Sequence, residues 1–218
     1  MDKSAIIAGA TGLIGNALVQ LLIKDERYER IIVLTRRPLQ QKDEKIKQLI
    51  INDFDELAHH LRDTTADEVF CCLGTTMKKA RTKENFRKVD YNYPLRLAQL
   101  TKSQGVQKYL LVSALGANPS SSVFYNKVKG EIEVAIKKIG FESYHIFRPS
   151  LLLGSRGEER AGEDAAKTFF KIFGFLFVGP LKKYQAIRHD KVARAMLYMA
   201  NTDQKGVFIH ESSTMQKF

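Results

Sequence analysis

Along this chain, apolar runs rich in β-branched residues alternate with stretches of helical period, beginning with Ala5-Ile6-Ile7-Ala8 and then the segment Leu13–Lys24. Strands buried on both faces read as near-continuous apolar runs, and the helices crossing between them keep one polar face. The alternation therefore predicts a parallel sheet covered on both sides. Strands are predicted near Ala5–Ala8, Arg30–Leu34, Lys47–Ile51, Glu68–Leu73, Tyr109–Ser113, Tyr144–Phe147 and Gly206–His210. The clearest helices are Leu13–Lys24, Tyr93–Gln104, Val123–Lys138 and Asp190–Ala200. Gly105 and Gly140 each stand where a helix must stop before the next strand, the usual place of a C-terminal cap. No repeat, low-complexity tract or Pro/Gly/Ser-rich linker breaks the pattern. The expectation is one domain over residues 1–218, an α/β doubly wound, mainly parallel sheet, with a small, less regular C-terminal lobe from about Ser150.

Composition narrows the picture less than pattern does. The 35 basic and 24 acidic residues leave a formal charge of +11, which suits a phosphorylated ligand, a nucleic acid or an anionic membrane without choosing among them. The basic residues are scattered and no helix joins a basic cluster to a groove-reading motif, so nucleic acid is not expected as a partner. Cys71 and Cys72 are neighbours on a predicted strand and point to opposite faces, so neither a disulfide nor a metal pair is expected. With a start, Met1-Asp2-Lys3-Ser4, that lacks a secretory layout, this predicts a reducing, cytoplasmic location. His59, His60 and His189 show no ligand spacing, so no metal is assigned, and His145 reads as a packed core residue.

The first stretch with chemistry is Gly9-Ala10-Thr11-Gly12-Leu13-Ile14-Gly15, between the first strand and the first helix. Gly9 and Gly12 let the backbone turn tightly and approach a pyrophosphate. Gly15 lets the helix sit close to the strand, and the helix start offers free N–H groups to phosphates. The second strand runs into Thr35-Arg36-Arg37-Pro38. An acid there would bind the ribose 2′-OH of NAD, whereas arginine suits the 2′-phosphate of NADP, so NADP(H) is favoured over NAD(H) and Arg36 is the better placed. Asp53, after the third strand, either accepts from the adenine amino group or caps a short helix that begins near Asp55. Leu73-Gly74-Thr75 follows the fourth strand, and Gly74 allows close approach of backbone to a cofactor.

A reactive set follows. Ser113 ends the fifth strand, while Tyr125 and Lys129 stand four apart on one face of the next helix, with Lys127 on another side. A free tyrosine titrates near 10 and is a poor base at neutral pH; a nearby ammonium favours its phenolate. Tyr125 is then suited to protonate a carbonyl oxygen as hydride arrives, or to deprotonate an alcohol.

Taken in order, Gly9-Ala-Thr-Gly12-Leu-Ile-Gly15, Arg36-Arg37, Cys72-Leu73-Gly74-Thr75, Ser113-Ala-Leu-Gly116, Tyr125-x-x-x-Lys129 and Arg148-Pro149-Ser150 resemble the short-chain dehydrogenase/reductase superfamily. The likeness is to its small atypical members, the group of the Tat-interacting-protein oxidoreductase, and it runs on through Ala186–Ala193. It implies a Rossmann fold, NADP(H) and a Ser–Tyr–Lys site on Ser113, Tyr125 and Lys129, with Lys129 reaching the nicotinamide ribose and Arg148 on a loop passing the nicotinamide. It also implies an asparagine on the helix before the fifth strand, and Asn92 lies nearby. The predicted activity is NADP(H)-dependent reduction of a small carbonyl, with a carbonyl or alcohol as partner. The alternative is a non-catalytic NADP(H)-binding regulator that engages a protein. The apolar, aromatic run Thr168–Val178 is too short to span a bilayer. It either packs on the core or the substrate pocket, or touches a membrane peripherally with Lys167, Lys171, Lys182 and Lys183.

Overall fold

The computed structural model describes residues 2–52, 54–62, 64–153 and 185–218. Asp53 and the run Thr168–Val178 lie outside these. The main sheet has seven parallel strands: β1 (Lys3–Ala8), β2 (Tyr28–Thr35), β3 (Ile46–Ile50), β4 (Glu68–Cys71), β5 (Lys108–Val112), β6 (Ser143–Arg148) and β9 (Gly206–Glu211). Their spatial order is β3-β2-β1-β4-β5-β6-β9. A separate two-stranded piece pairs β7 (Leu152–Leu153) with β8 (Ile187–Arg188). The crossover helices are α1 (Leu13–Lys24), α2 (Leu57–Leu61), α3 (Met77–Ala80), α4 (Lys83–Arg87), α5 (Tyr93–Ser103), α6 (Phe124–Lys137), α7 (His189–Ala200) and α8 (Ser212–Met215).

Period two along the strands divides the core into two layers. Ala5, Ile7, Val33, Phe70 and Leu110 pack with Leu18 and Leu22 of α1 and with Val192 and Met196 of α7. Ile6, Ala8, Ile32, Val69, Tyr109 and Leu111 pack on the other face with Leu57, Leu97, Ile132 and Ile136. The adjacent cysteines follow this division: Cys71 joins the second layer and Cys72 borders the first. Burial pushes both thiols above their ordinary pKa, so they act as small apolar residues.

The sharpest local departure from regular helix lies just ahead of α5. Lys88–Asn92 forms a π-helical turn between α4 and α5, with Pro94 at the start of α5. Pro94 has no N–H to return to the carbonyl four residues back, so the preceding turn widens there. Two short helices precede it, each started by a threonine whose hydroxyl accepts a backbone N–H: Thr76 from Lys79 and Thr82 from Asn85. Gly105 and Gly140 follow α5 and α6 with φ of +91° and +78°, the left-handed conformation their capping role requires.

Candidate active site

Because every main-sheet strand is parallel, all the strand carboxyl ends and helix starts collect along one edge, and the order reverses between β1 and β4. Gly9 lies at that reversal. Its φ is +88°, and a Cβ on it would come within 2.4 Å of the Cys72 carbonyl oxygen, so only glycine fits. A Cβ on Gly15 would come within 2.2 Å of the Gly9 carbonyl oxygen, which is how α1 sits so close over the turn. Gly12 begins α1 with no side-chain cap, and the first turn carries no acidic residue. The N–H groups of Leu13, Ile14 and Gly15 therefore have no acceptor within the helix, and Thr11 beside them is exposed. This turn fits a pyrophosphate: it offers donors, partial positive charge and no competing carboxylate.

Arg36 and Arg37 are exposed just beyond β2. Thr35 Oγ1 donates to the Arg37 carbonyl at 2.7 Å and fixes the backbone there. No described carboxylate pairs with either guanidinium.

On the β4 side, Leu73-Gly74-Thr75 leads away from the sheet, and the centre of this region is a residue the sequence reading missed. Asp90, fully buried in the π-helical turn, accepts from the Thr75 N–H at 2.8 Å through Oδ2 and lies 2.7 Å from Lys129 Nζ through Oδ1. Gly74 abuts this ion pair; a Cβ there would stand 3.4 Å from Asp90 Oδ1 and 3.6 Å from Lys129 Nζ. Burial works against the Lys129 ammonium, but the Asp90 carboxylate beside it outweighs burial, and the lysine pKa is raised. Asn92, the nearby asparagine, is exposed. The polar group that the helix before β5 sends inward is Asp90, two residues earlier. No local signal marks Asp90, whose partner is 39 positions away.

Tyr125, Lys129 and Glu133 share one face of α6, spaced by one turn each. Tyr125 is half-buried, with its ring 5.5 Å from that of Phe86. Glu133, also missed although it keeps the phase of the Tyr–Lys pair, is buried and joins two expected site residues. Ser113 Oγ donates to Glu133 Oε1, and Arg148 Nε donates to the same oxygen at 3.0 Å while its Nη2 bonds Oε2. The structure thus brings Ser113 and Arg148 to one carboxylate and Tyr125 and Lys129 to the helix that carries it. Gly130 lets this helix lie against the loop after β5, since a Cβ there would meet Pro119 N at 2.2 Å.

Comparison with known proteins agrees with this geometry. The NAD dependent epimerase/dehydratase family matches residues 5–135. Protein HTATIP2 of Rattus norvegicus is 36% identical over 173 residues, 78% of this chain and 71% of that protein. The mitochondrial protein FMP52 of Debaryomyces hansenii is 32% identical over 202 residues, 91% of this chain and 88% of its own length. Among solved structures, the Bordetella bronchiseptica enzyme WbmH in complex with NAD+ superposes with a TM-score of 0.73 at 15% identity, over 100% of this chain and 79% of that one. UDP-glucose 4-epimerase of Thermotoga maritima gives 0.71 at 16% identity, over 95% and 76%.

These relatives also correct one expectation. The cytoplasmic location does not stand, because the fungal relatives, from Debaryomyces hansenii to Candida albicans, are named as mitochondrial proteins. Free cysteines separate reducing from oxidising surroundings, and that distinction cannot tell cytosol from organelle matrix. With the parallel sheet, the glycine turn at its reversal and relatives above 30% identity over most of their length, the chain belongs to the NAD dependent epimerase/dehydratase family, as an atypical short-chain dehydrogenase/reductase.

Proposed function

We propose that this protein is an NADP(H)-dependent oxidoreductase that reduces a small carbonyl compound. The observation that carries the reading is the buried Lys129–Asp90 ion pair, which holds a charged ammonium one helical turn from Tyr125 on the inner face of α6. A lysine serving only as surface would not be buried beside a carboxylate at the carboxyl edge of the sheet. A bound dihydronicotinamide supplies the hydride. The Tyr125 hydroxyl donates its proton to the carbonyl oxygen, and the Lys129 ammonium stabilises the negative charge left on the phenol oxygen. Asp90 keeps that ammonium in place. Ser113, whose proton is directed to Glu133, presents its lone pairs and accepts a hydrogen bond from an alcohol. The open start of α1 takes the pyrophosphate, and Arg36 with Arg37 takes the 2′-phosphate that distinguishes NADP from NAD. The names of the fungal relatives favour mitochondria as the place of action.

Titrating the protein with NADPH and then NADH, followed by nicotinamide fluorescence, tests the binding half; the absence of tryptophan keeps the protein's own emission low. Tyr125→Phe tests the chemical half. It is expected to abolish reduction of an aldehyde panel while leaving the NADPH Kd within about twofold, because the hydroxyl acts on substrate. Equal loss of nucleotide binding would refute that division of roles. Binding without turnover of any carbonyl would turn the reading toward a nucleotide-binding regulator.

A further inference from the structure

The segment of the chain densest in basic residues has no part in the chemistry proposed at Tyr125. Between Met77 and Lys88 there are six basic residues and one acid, Glu84. Lys78, Lys79, Arg81 and Lys83 are exposed, and no described carboxylate pairs with any of them. Arg87 differs, being bound to Glu131 at 2.6 Å. The segment leaves the sheet directly after Leu73-Gly74-Thr75 and folds back over the start of α6. There Ala80, Phe86 and Val128 form a small core with Phe124 and Tyr125. Lys83 Nζ stands 5.4 Å from the centre of the Phe124 ring, and Phe124 is the immediate neighbour of Tyr125. Lys83 therefore stands at the start of α6, beside the residue that precedes Tyr125, with Lys79 and Arg81 on the same segment and on the β4 side of the strand-order reversal.

Arg81 has φ of +67° and is the one described non-glycine residue with positive φ. Glycine would adopt that conformation at less cost. The turn is held by Ala80 in the small core and by Asn85 Nδ2, which donates to the Ala80 carbonyl at 3.2 Å. Arg81 is the C-terminal cap of α3, and its side chain is exposed at this turn.

We propose that the carbonyl substrate is an anion, bearing a carboxylate or phosphate remote from the reacting carbon, and that Lys79, Arg81 and Lys83 receive this group at the rim. The inference rests on the reading of Tyr125 as the proton donor. It gives the excess charge of this segment a task that the cofactor phosphates, served by α1 and by Arg36 and Arg37, do not supply. Exposed charge contacts are individually weak and screened by salt, so the expected preference is modest and salt-dependent.

The experiment compares 4-carboxybenzaldehyde with benzaldehyde, which share the reacting group and differ in the anion. With NADPH, kcat/KM is expected to favour the carboxylate by roughly three- to tenfold at low salt, with the difference in KM, and to lose most of that preference in about 0.5 M salt. The double variant Lys79→Glu/Lys83→Glu is expected to bring the ratio to one or below. In parallel, equilibrium binding of 4-carboxybenzyl alcohol and benzyl alcohol is measured by ligand-observed NMR, with and without NADP+. If the protein reduces neither aldehyde, the catalytic reading fails, and the ratio of the two alcohol affinities still decides the anion preference. Equal handling of charged and neutral ligands, or a preference that survives the double charge reversal, overturns the proposal. So does a double variant that weakens NADPH as much as it weakens the carboxylate ligand, since the lysines would then serve the cofactor.

Discussion

Lys129 and Lys108 are both drawn into the protein against the same sheet, at opposite edges, and burial has opposite outcomes for them. At the carboxyl edge, Lys129 has a carboxylate at 2.7 Å and its pKa is raised. At the amino edge, the half-buried Lys108 donates to the carbonyls of Ala200 and Thr202 at 2.6 and 2.7 Å, and burial lowers its pKa although Glu68 opposes the change. Around it, Glu68 bonds Tyr28 and lies 3.5 Å from Lys3 Nζ, and Lys3 bonds Asn201 and the Ala200 carbonyl. The amino-edge cluster is closed: it caps the C-terminal end of α7 with two cations, which suits the helix dipole. The carboxyl edge pairs its ammonium but leaves helix N–H groups and two guanidiniums open. Burial of a charge therefore marks the site at Lys129 together with its position at the carboxyl edge and one turn from Tyr125, which Lys108 lacks. The unmet hydrogen-bonding capacity at that edge agrees with it.

The largest test of this contrast is Asp90→Ala, which strands the Lys129 ammonium. A loss of about 3–5 kcal/mol in urea unfolding is expected, and Asp90→Ala/Lys129→Met is expected to recover more than half of it. Strictly additive losses would show that the two charges do not hold one another. At the amino edge, Glu68→Gln is expected to cost about 2 kcal/mol in the same assay and to leave the NADPH Kd unchanged. A shift in that Kd would deny the separation of the two edges.

A buried pair without any counter-charge sharpens the rule. His145 and His210 stack with ring centres 5.2 Å apart and Nδ1 2.9 Å from Nε2, and Ser143 bonds the far side of His145. Burial, then His210 and Lys108, push His145 down to about 4, and burial lowers His210. The folded state keeps these rings neutral while the unfolded chain takes up protons near pH 6.5. Their contribution is thus present above about pH 6.5 and is lost as pH falls toward 4. Stability is expected to drop by roughly 1–2 kcal/mol between pH 7 and pH 5, and His145→Leu is expected to flatten that slope. A wild-type midpoint unchanged over this range would contradict the assignment. The smallest effect on stability belongs to Arg36→Ala, within about 0.5 kcal/mol, since its side chain is exposed. Its effect falls on selection instead, with NADPH weakened more than NADH; an unchanged ratio of the two Kd values would remove the ground for preferring NADP(H).

Most of the scaffold could be read from the sequence because local pattern and global fold agree there. The strands β1 to β6 and β9 and the helices α1, α5, α6 and α7 fall within a few residues of their predicted spans, and Gly9, Gly15, Gly105 and Gly140 do what their positions imply. The stretch Met77–Asn92 was not legible. Its short helices carry too few apolar positions to show a period, and their order comes from Thr76 and Thr82 caps and from a small core contributed partly by α6. Asp90 was hidden for the same reason, since a residue paired across 39 positions leaves no local trace. Glu133, four residues beyond Lys129, keeps the phase of the Tyr–Lys pair, but a glutamate on a helix is usually solvated and only the fold shows this one buried. Ser113 and Arg148 were picked out singly, and only the fold joins them through Glu133.

The tie between Lys3 and Asn201 also bears on how the protein is made. These residues are 198 positions apart, so the Lys3 side chain, unlike the β1 backbone that Arg27 and Asp67 hold early, gains its last partners only when that late segment arrives. Until then a chain emerging from the ribosome can form α1 but must leave Leu18, Val19 and Leu22 without the cover of Val192 and Met196. Strand β6 likewise waits for β9 to shield its edge. One apolar layer of the first half of the protein is therefore completed only by residues near the end of the chain.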